Sequence, residues 1–252
     1  MPVAYAHFNA KLSGRFMDTL GQQMASGLVG DAIGAITRHI RENNLVPGDR
    51  LPSEATLSRE LNVSRTVVRE AFRSLAAMGI IDLATGKRAT VANLDHGAMG
   101  LMIEHGVHTD QITIQQIYDV RRTIETRIAA LAAIRRRDAE AETIRALAQA
   151  MRDAAANPLL LLERDLDFHL ALARACANPV FLLIVGAFQG VTRQTWPVGW
   201  RSRTTDVSRE TMLATHEEIA EAVAAGDPSR AAEAMGRHFD ESVRALVQAG
   251  VG

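Results

Sequence analysis

Apolar residues recur at three- and four-residue intervals along most of the chain, and strand-like alternation is confined to one short stretch near residue 85. The first helical pattern, Asp31–Asn43, sets Ile33, Ile36 and Ile40 on one side, and Pro47-Gly48 ends the connection after it. Leu57 and Leu61 form the apolar face of a second helix, which Ser53, following Pro52, can N-cap. Leu61-Asn62-Val63 then breaks the pattern, and Asn62 tolerates turn geometry. Ser64 caps a third helix that turns Val67, Val68, Ala71, Phe72 and Leu75 inward. Arg65, Thr66 and Arg69 face the other way, near its N-terminus. Gly79 stops that helix, and Ile80–Leu83 and Ala89–Ala92 read as two strands around a tip at Thr85-Gly86-Lys87-Arg88. Helices around a tight turn, followed by a basic-tipped hairpin, predict a winged helix-turn-helix over 30–92.

The remainder predicts an all-α antiparallel bundle over 111–250, so the fold class is mainly α with one small β-hairpin wing. Helices are expected at 111–135, 138–155, 158–177, 179–196, 205–225 and 228–248. Asn157-Pro158, Asn178-Pro179 and Gly226-Asp227-Pro228 mark breaks, each with proline at or near a helix start. Trp196-Pro197-Val198-Gly199-Trp200 reads as a loop, and 93–110 as a linker with one short helix around Met99, Met102 and Ile103. Residues 1–29 form an N-terminal extension in which Arg15–Leu20 fits a short helix.

Composition narrows the function classes. A net charge of -1 argues against a general polyanion binder. Between Thr56 and Val91, however, six cationic residues stand against three carboxylates, a local footprint suited to a DNA duplex. Cys176, the single cysteine, excludes an internal disulfide, fits a reducing compartment and falls in an apolar helix pattern as a core residue. With neither a signal peptide nor an apolar run of membrane-spanning length, a cytoplasmic protein without membrane partners is expected.

Four bundle residues carry candidate metal chemistry. Asp165 and His169 lie four apart and project from one helix face. His216 and His238 each lie about ten residues from the turn at Gly226-Asp227-Pro228, so antiparallel helices set them at one height. One carboxylate and three imidazoles converging there suit a divalent transition metal, with zinc first and nickel, manganese or iron as alternatives. The competing reading makes Asp165 and His169 a surface ion pair and the other histidines hydrogen-bonded residues. His7, His39, His96, His105 and His108 lack such partners.

The run LVPGDRLPSEATLSRELNVSRTVVREAFRSLAAMGII resembles the N-terminal domain of the GntR family of bacterial transcription factors. The resemblance implies DNA contacts from Ser53, Ser64, Arg65, Thr66, Arg69, Gly86 and Lys87. Ala55 departs from it, standing where the family usually places a DNA-contacting arginine. DLDFHLALARACANPVF resembles the D-x-x-x-H helix of the FCD domain, the helical effector module of the FadR branch, and IYDVRRTIETRIAALAA resembles its first helix. That resemblance implies metal ligation by Asp165, His169, His216 and His238, and contact between Arg121 and the carboxylate of a small organic acid. Arg121 also fits a simple ion pair with Glu125 one turn along the same helix.

The expected function is a homodimeric transcriptional regulator, of repressor type. It reads a palindromic double-stranded operator and answers to a small carboxylate or sugar-acid effector. A metal-dependent enzyme fused to a DNA reader is the alternative. Against it, the chain holds no Glu-x-x-His, His-Glu-x-x-His or Gly-x-Ser-x-Gly sequence and no phosphate-cradling glycine loop.

Overall fold

The computed structural model describes residues 27–251, and the helix anticipated at Arg15–Leu20 lies outside them. The chain divides into two compact units between Asp95 and His96.

In the first unit, α1 (Leu28–Glu42), α2 (Glu54–Glu60) and α3 (Arg65–Ala77) precede β1 (Ile81–Asp82) and β2 (Thr90–Val91). Both short helices start where a serine satisfies an otherwise orphaned backbone N–H. Ser53 accepts from the Thr56 amide at 3.1 Å and Ser64 from the Val67 amide at 3.3 Å. Asn62 takes a left-handed conformation with φ of 52° between them, which lets the chain reverse tightly. Ile36, Leu51, Leu57, Val68, Phe72, Leu75 and Ile81 pack into one core. The strands pair antiparallel with Ile81 opposite Val91 and are shorter than the alternation suggests. The hairpin between them turns at Gly86, whose φ of 72° suits glycine.

The second unit is helical throughout: α4 (Gly97–His108), α5 (Ile114–Arg135), α6 (Asp138–Asp153), α7 (Pro158–Ala175), α8 (Pro179–Ala187), α9 (Gln189–Ser202), α10 (Asp206–Ala225) and α11 (Pro228–Gln248). A capping box between Thr113 and Gln116 starts α5. Asn157, Asn178 and Asp227 cap the helices that begin with proline, and Gly226, at φ of 71°, turns the chain from α10 into α11. Alanine at 129, 130, 132 and 133 of α5 is buried, with α5 packing along α11 and α7. Among the described residues no helix is long and apolar enough to cross a membrane.

Two expectations need correction. The helix anticipated over 179–196 is interrupted at Phe188, and the loop anticipated at Trp196–Trp200 is helical, because α9 runs through Pro197. A proline inside a helix costs about 3 kcal/mol in a lost hydrogen bond and a clash with the preceding turn. Tertiary packing offsets this: Val191, Thr192, Thr195 and Trp200 are buried, and the Trp196 and Trp200 rings stack at 5.4 Å. The stretch at Gly97–His108 is a full helix packed on α8 and α9, over a small core of Ile117, Phe188 and Val191.

Close approach of α8 to the residue preceding α4 depends on Gly186, where an added Cβ would lie 2.6 Å from the His96 ring. Gly186→Ala should therefore lower the stability of the second unit by about 1–3 kcal/mol through overpacking, read as a lower urea midpoint. An unchanged midpoint would mean that His96 moves aside without cost.

Candidate functional site

In the bundle, α5, α7, α10 and α11 each deliver polar side chains to one buried point. Arg121 and Glu125 come from α5, Asp165 and His169 from α7, His216 from α10 and His238 from α11, all of them buried. Ligand-capable atoms of the three histidines lie within 4.8 Å of one another. The His216 and His238 rings are 4.5 Å apart, as two residues equidistant from the Gly226 turn on antiparallel helices should be.

Hydrogen bonding decides which nitrogens face the centre. His216 Nδ1 lies 2.8 Å from the Met212 carbonyl, which can only accept, so Nδ1 carries a proton and Nε2 is the nitrogen that can serve as a ligand. His169 Nδ1 contacts the Glu125 carboxylate and donates to it, which again makes Nε2 the nitrogen that can serve as a ligand. Both Nε2 atoms are buried without a hydrogen-bond partner. His216 Nε2 also stands 3.1 Å from Asp165 Oδ1, outside hydrogen-bonding geometry. Buried acceptors facing one another cost free energy unless something positive lies between them. A divalent ion about 2.1 Å from each imidazole nitrogen would answer all of them, after a small contraction of the cluster. The donor set fits a metal.

Charge states agree with that fit. Burial, with His216, His169, Arg121 and Arg203 nearby, holds the His238 imidazole well below its ordinary pKa and hence neutral. Burial opposes ionisation of Asp165, but contacts with His216, His169 and Arg121 prevail and hold it below the usual carboxylate range. Glu125 behaves likewise: burial pushes it up, while Arg121 and His169 pull harder and keep it ionised.

Glu125 is the link that sequence reasoning missed. One oxygen accepts from Arg121 Nε at 2.8 Å and the other meets His169 Nδ1, so a single carboxylate holds both side chains. The sequence offered Glu125 only as the neighbour of Arg121, since nothing in spacing alone reaches from α5 to α7. Arg121 Nη1 donates to Thr192 Oγ1 at 2.9 Å, and the guanidinium lies 5.0 Å from the Phe239 ring centre. Beside the histidines opens a narrow pocket of about 30 Å³ with Arg121, Asp165 and His238 in its wall. Tyr118, Thr195, Trp196 and Arg203 line it too; the expected loop at 196–200 had concealed the part that α9 plays.

In the first unit Arg65, Thr66 and Arg69 are exposed on the first turns of α3, and Gly86 and Lys87 are exposed at the hairpin tip. Ser53 and Ser64 sit at the helix starts with their hydroxyls engaged as caps. Arg69 is already ordered: Nη2 donates to Glu54 Oε2 at 3.0 Å, tying α3 to the start of α2.

A model of the bacterial regulatory proteins of the gntR family matches residues 28–91, and an FCD domain model matches residues 116–241, half of the chain. The chain belongs to the GntR family. Among its relatives, the regulator LutR of Bacillus subtilis is 30% identical over 204 residues, spanning 79% of this chain and 92% of that protein. The fatty acid metabolism regulator protein of Edwardsiella ictaluri is 32% identical, spanning 60% of this GntR-family chain and 64% of its own length. The repressor NanR of an Enterobacter species is 26% identical, over 80% and 78%. A solved Streptococcus agalactiae GntR structure superposes with a TM-score of 0.61 at 25% identity, covering 86% of this chain and 98% of that one. These are regulators of transcription, not enzymes, so the family assignment makes this chain a DNA-binding transcriptional regulator and removes the enzyme alternative.

Because Glu125 holds His169 in register, Glu125→Gln should weaken metal affinity by about 10–100-fold while leaving the three imidazoles in place. Isothermal titration of apo-protein with Zn²⁺ reads the effect. Equal affinity in wild type and variant would reduce Glu125 to a counter-ion for Arg121.

Proposed function

We propose that this chain is a cytoplasmic, homodimeric repressor whose operator affinity is set by a small carboxylate or sugar acid bound at a metal centre in its helical unit. The observation that carries the metal reading is the pair of buried Nε2 atoms, on His169 and His216, turned toward His238 without partners. Asp165, His169, His216 and His238 hold one divalent transition metal, with zinc the first candidate because imidazole and carboxylate suit it. Nickel, manganese and iron remain open to the same ligands. The effector takes a coordination position left free and lies along the wall that Arg121 lines.

In the DNA-binding unit, Arg65, Thr66 and Arg69 meet base edges and phosphates, with Ser53, Ser64, Gly86 and Lys87 on the backbone around them. Two-fold symmetry of the dimer calls for a palindromic operator. The name of one relative, a repressor, supports the sign of regulation. Effector binding releases DNA by favouring a state with lower operator affinity, and operator binding then weakens effector binding by the same factor.

Arg65→Ala should weaken operator binding by about 1–3 kcal/mol if it makes a two-pronged base contact. Lys87→Ala should weaken all sequences alike and lower the salt dependence by about one unit of slope. Electrophoretic mobility shifts at several salt concentrations read both, and wild-type affinity in Arg65→Ala would remove that contact.

Elemental analysis of untagged protein should find one divalent ion per chain, lost in a His216→Ala/His238→Ala double variant, and metal should raise the melting temperature. Equal metal content in the two proteins would end the metal reading. For the effector, Arg121→Ala is a poor probe, since stranding buried Glu125 costs about 3–5 kcal/mol. Arg121→Lys keeps the charge but loses the planar fork. It should raise the effector concentration needed for DNA release while metal content and effector-free operator binding stay unchanged. A wild-type release curve would leave Arg121 as a partner of Glu125 alone.

A further inference from the structure

The pocket beside the histidines contains one cation more than its carboxylates answer. Arg121 is matched by Glu125, and Asp165 faces His216. Arg203, the residue that closes α9, lines the same pocket and donates from Nη1 to the Gly199 carbonyl at 2.9 Å. No carboxylate among the described residues forms an ion pair with it. Partial burial lowers its pKa, and Asp165, Glu241 and Tyr118 oppose this through charge alone, with no hydrogen bond to it. Glu241 belongs to a separate, open groove.

Arginine stays charged at any physiological pH, so a half-buried guanidinium without a counter-ion calls for an anion from outside. The charge balance is simple. Arg121 and Glu125 cancel, whereas a divalent metal, Asp165 and Arg203 together leave two positive charges. A monocarboxylate neutralises only one of them. From these residues we infer that the effector is a small dianionic organic acid, with one carboxylate at the metal and Arg121 and a second held by Arg203. The inference rests on the metal and effector reading above and names the class of ligand within it. Its second carboxylate receives a planar guanidinium on the α9 side of the pocket, beside Trp196 and Ser242. Arg203 is thereby the residue that separates dicarboxylates from monocarboxylates, since leaving it buried and unanswered penalises the shorter acid.

The chain has two tryptophans, and Trp196, stacked on Trp200, stands in the pocket wall, so intrinsic fluorescence reports binding. Zinc-loaded full-length protein would be titrated with two matched pairs: malate against lactate, and 2-hydroxyglutarate against 2-hydroxybutyrate. In wild type at least one dicarboxylate should bind about tenfold or more tighter than its partner, the worth of one charge-assisted hydrogen-bonded contact. Arg203→Leu should abolish that preference, through weaker dicarboxylate binding and relief of the penalty on the monocarboxylate, with zinc content unchanged, and Arg203→Lys should restore part of it. If Arg203→Leu retains the full preference, or wild type holds zinc and shows none, the second-anion subsite is overturned while the metal reading stands. Protein that holds no zinc and binds none of the four acids overturns both.

Discussion

The helical unit depends on one buried carboxylate. Glu125 lies between the Arg121 guanidinium and the His169 imidazole, and its ionised state is sustained by both of them against the cost of burial. Such a charge is tolerable only with its partners in place, and removing either leaves an uncompensated anion in the core. This constraint sets the register of α5 against α7, fixes the tautomer of His169 and aims its Nε2 at His216 and His238. The rest of the cluster is arranged around that nitrogen.

The same carboxylate connects two chemistries. Its Arg121 side reaches the pocket through a guanidinium also held by Thr192, and its His169 side reaches the proposed metal. A ligand that draws on Arg121 therefore acts on a group one carboxylate away from the metal site. Networks of this kind are sensitive to any member being lost, since each hydrogen bond polarises the next. Arg121 as ion-pair partner and Arg121 as pocket residue are consequently not rival descriptions: Nε serves Glu125, Nη1 serves Thr192, and the guanidinium still forms part of the wall.

The DNA-binding unit follows a different economy. Its core is made of ordinary apolar contacts, and its polar chemistry lies on the surface at the start of α3 and the tip of the hairpin. Capping by Ser53 and Ser64 gives each short helix a defined beginning, and Asn62 supplies the left-handed residue between them. The Glu54–Arg69 pair orders one arginine on an otherwise open face. Ala55, where the family resemblance led to an expected arginine, adds no charge to that face.

Local signals in the chain were sufficient for the capped helix starts at Ser53, Ser64, Asn157, Asn178 and Asp227, the turn at Asn62, the Gly86 hairpin and the equal height of His216 and His238. Each depends on short-range backbone chemistry or on counting residues from a tight turn. Helical spacing placed Asp165 and His169 on one face, and their convergence with those two was what the resemblance to the FCD domain implied. What tertiary structure alone decided was everything requiring contact between distant segments. Glu125 reaches His169 across two helices, α9 persists through Pro197 because buried neighbours and a tryptophan stack outweigh a lost hydrogen bond, and Arg203 arrives in the pocket only because that helix continues. Propensity is a local quantity of a kcal/mol or so per residue, and burial of a side chain against partners far along the chain is of equal or greater size. Where the two conflict, as at Trp196–Trp200, packing prevails, and no window of sequence contains the neighbours that supply it.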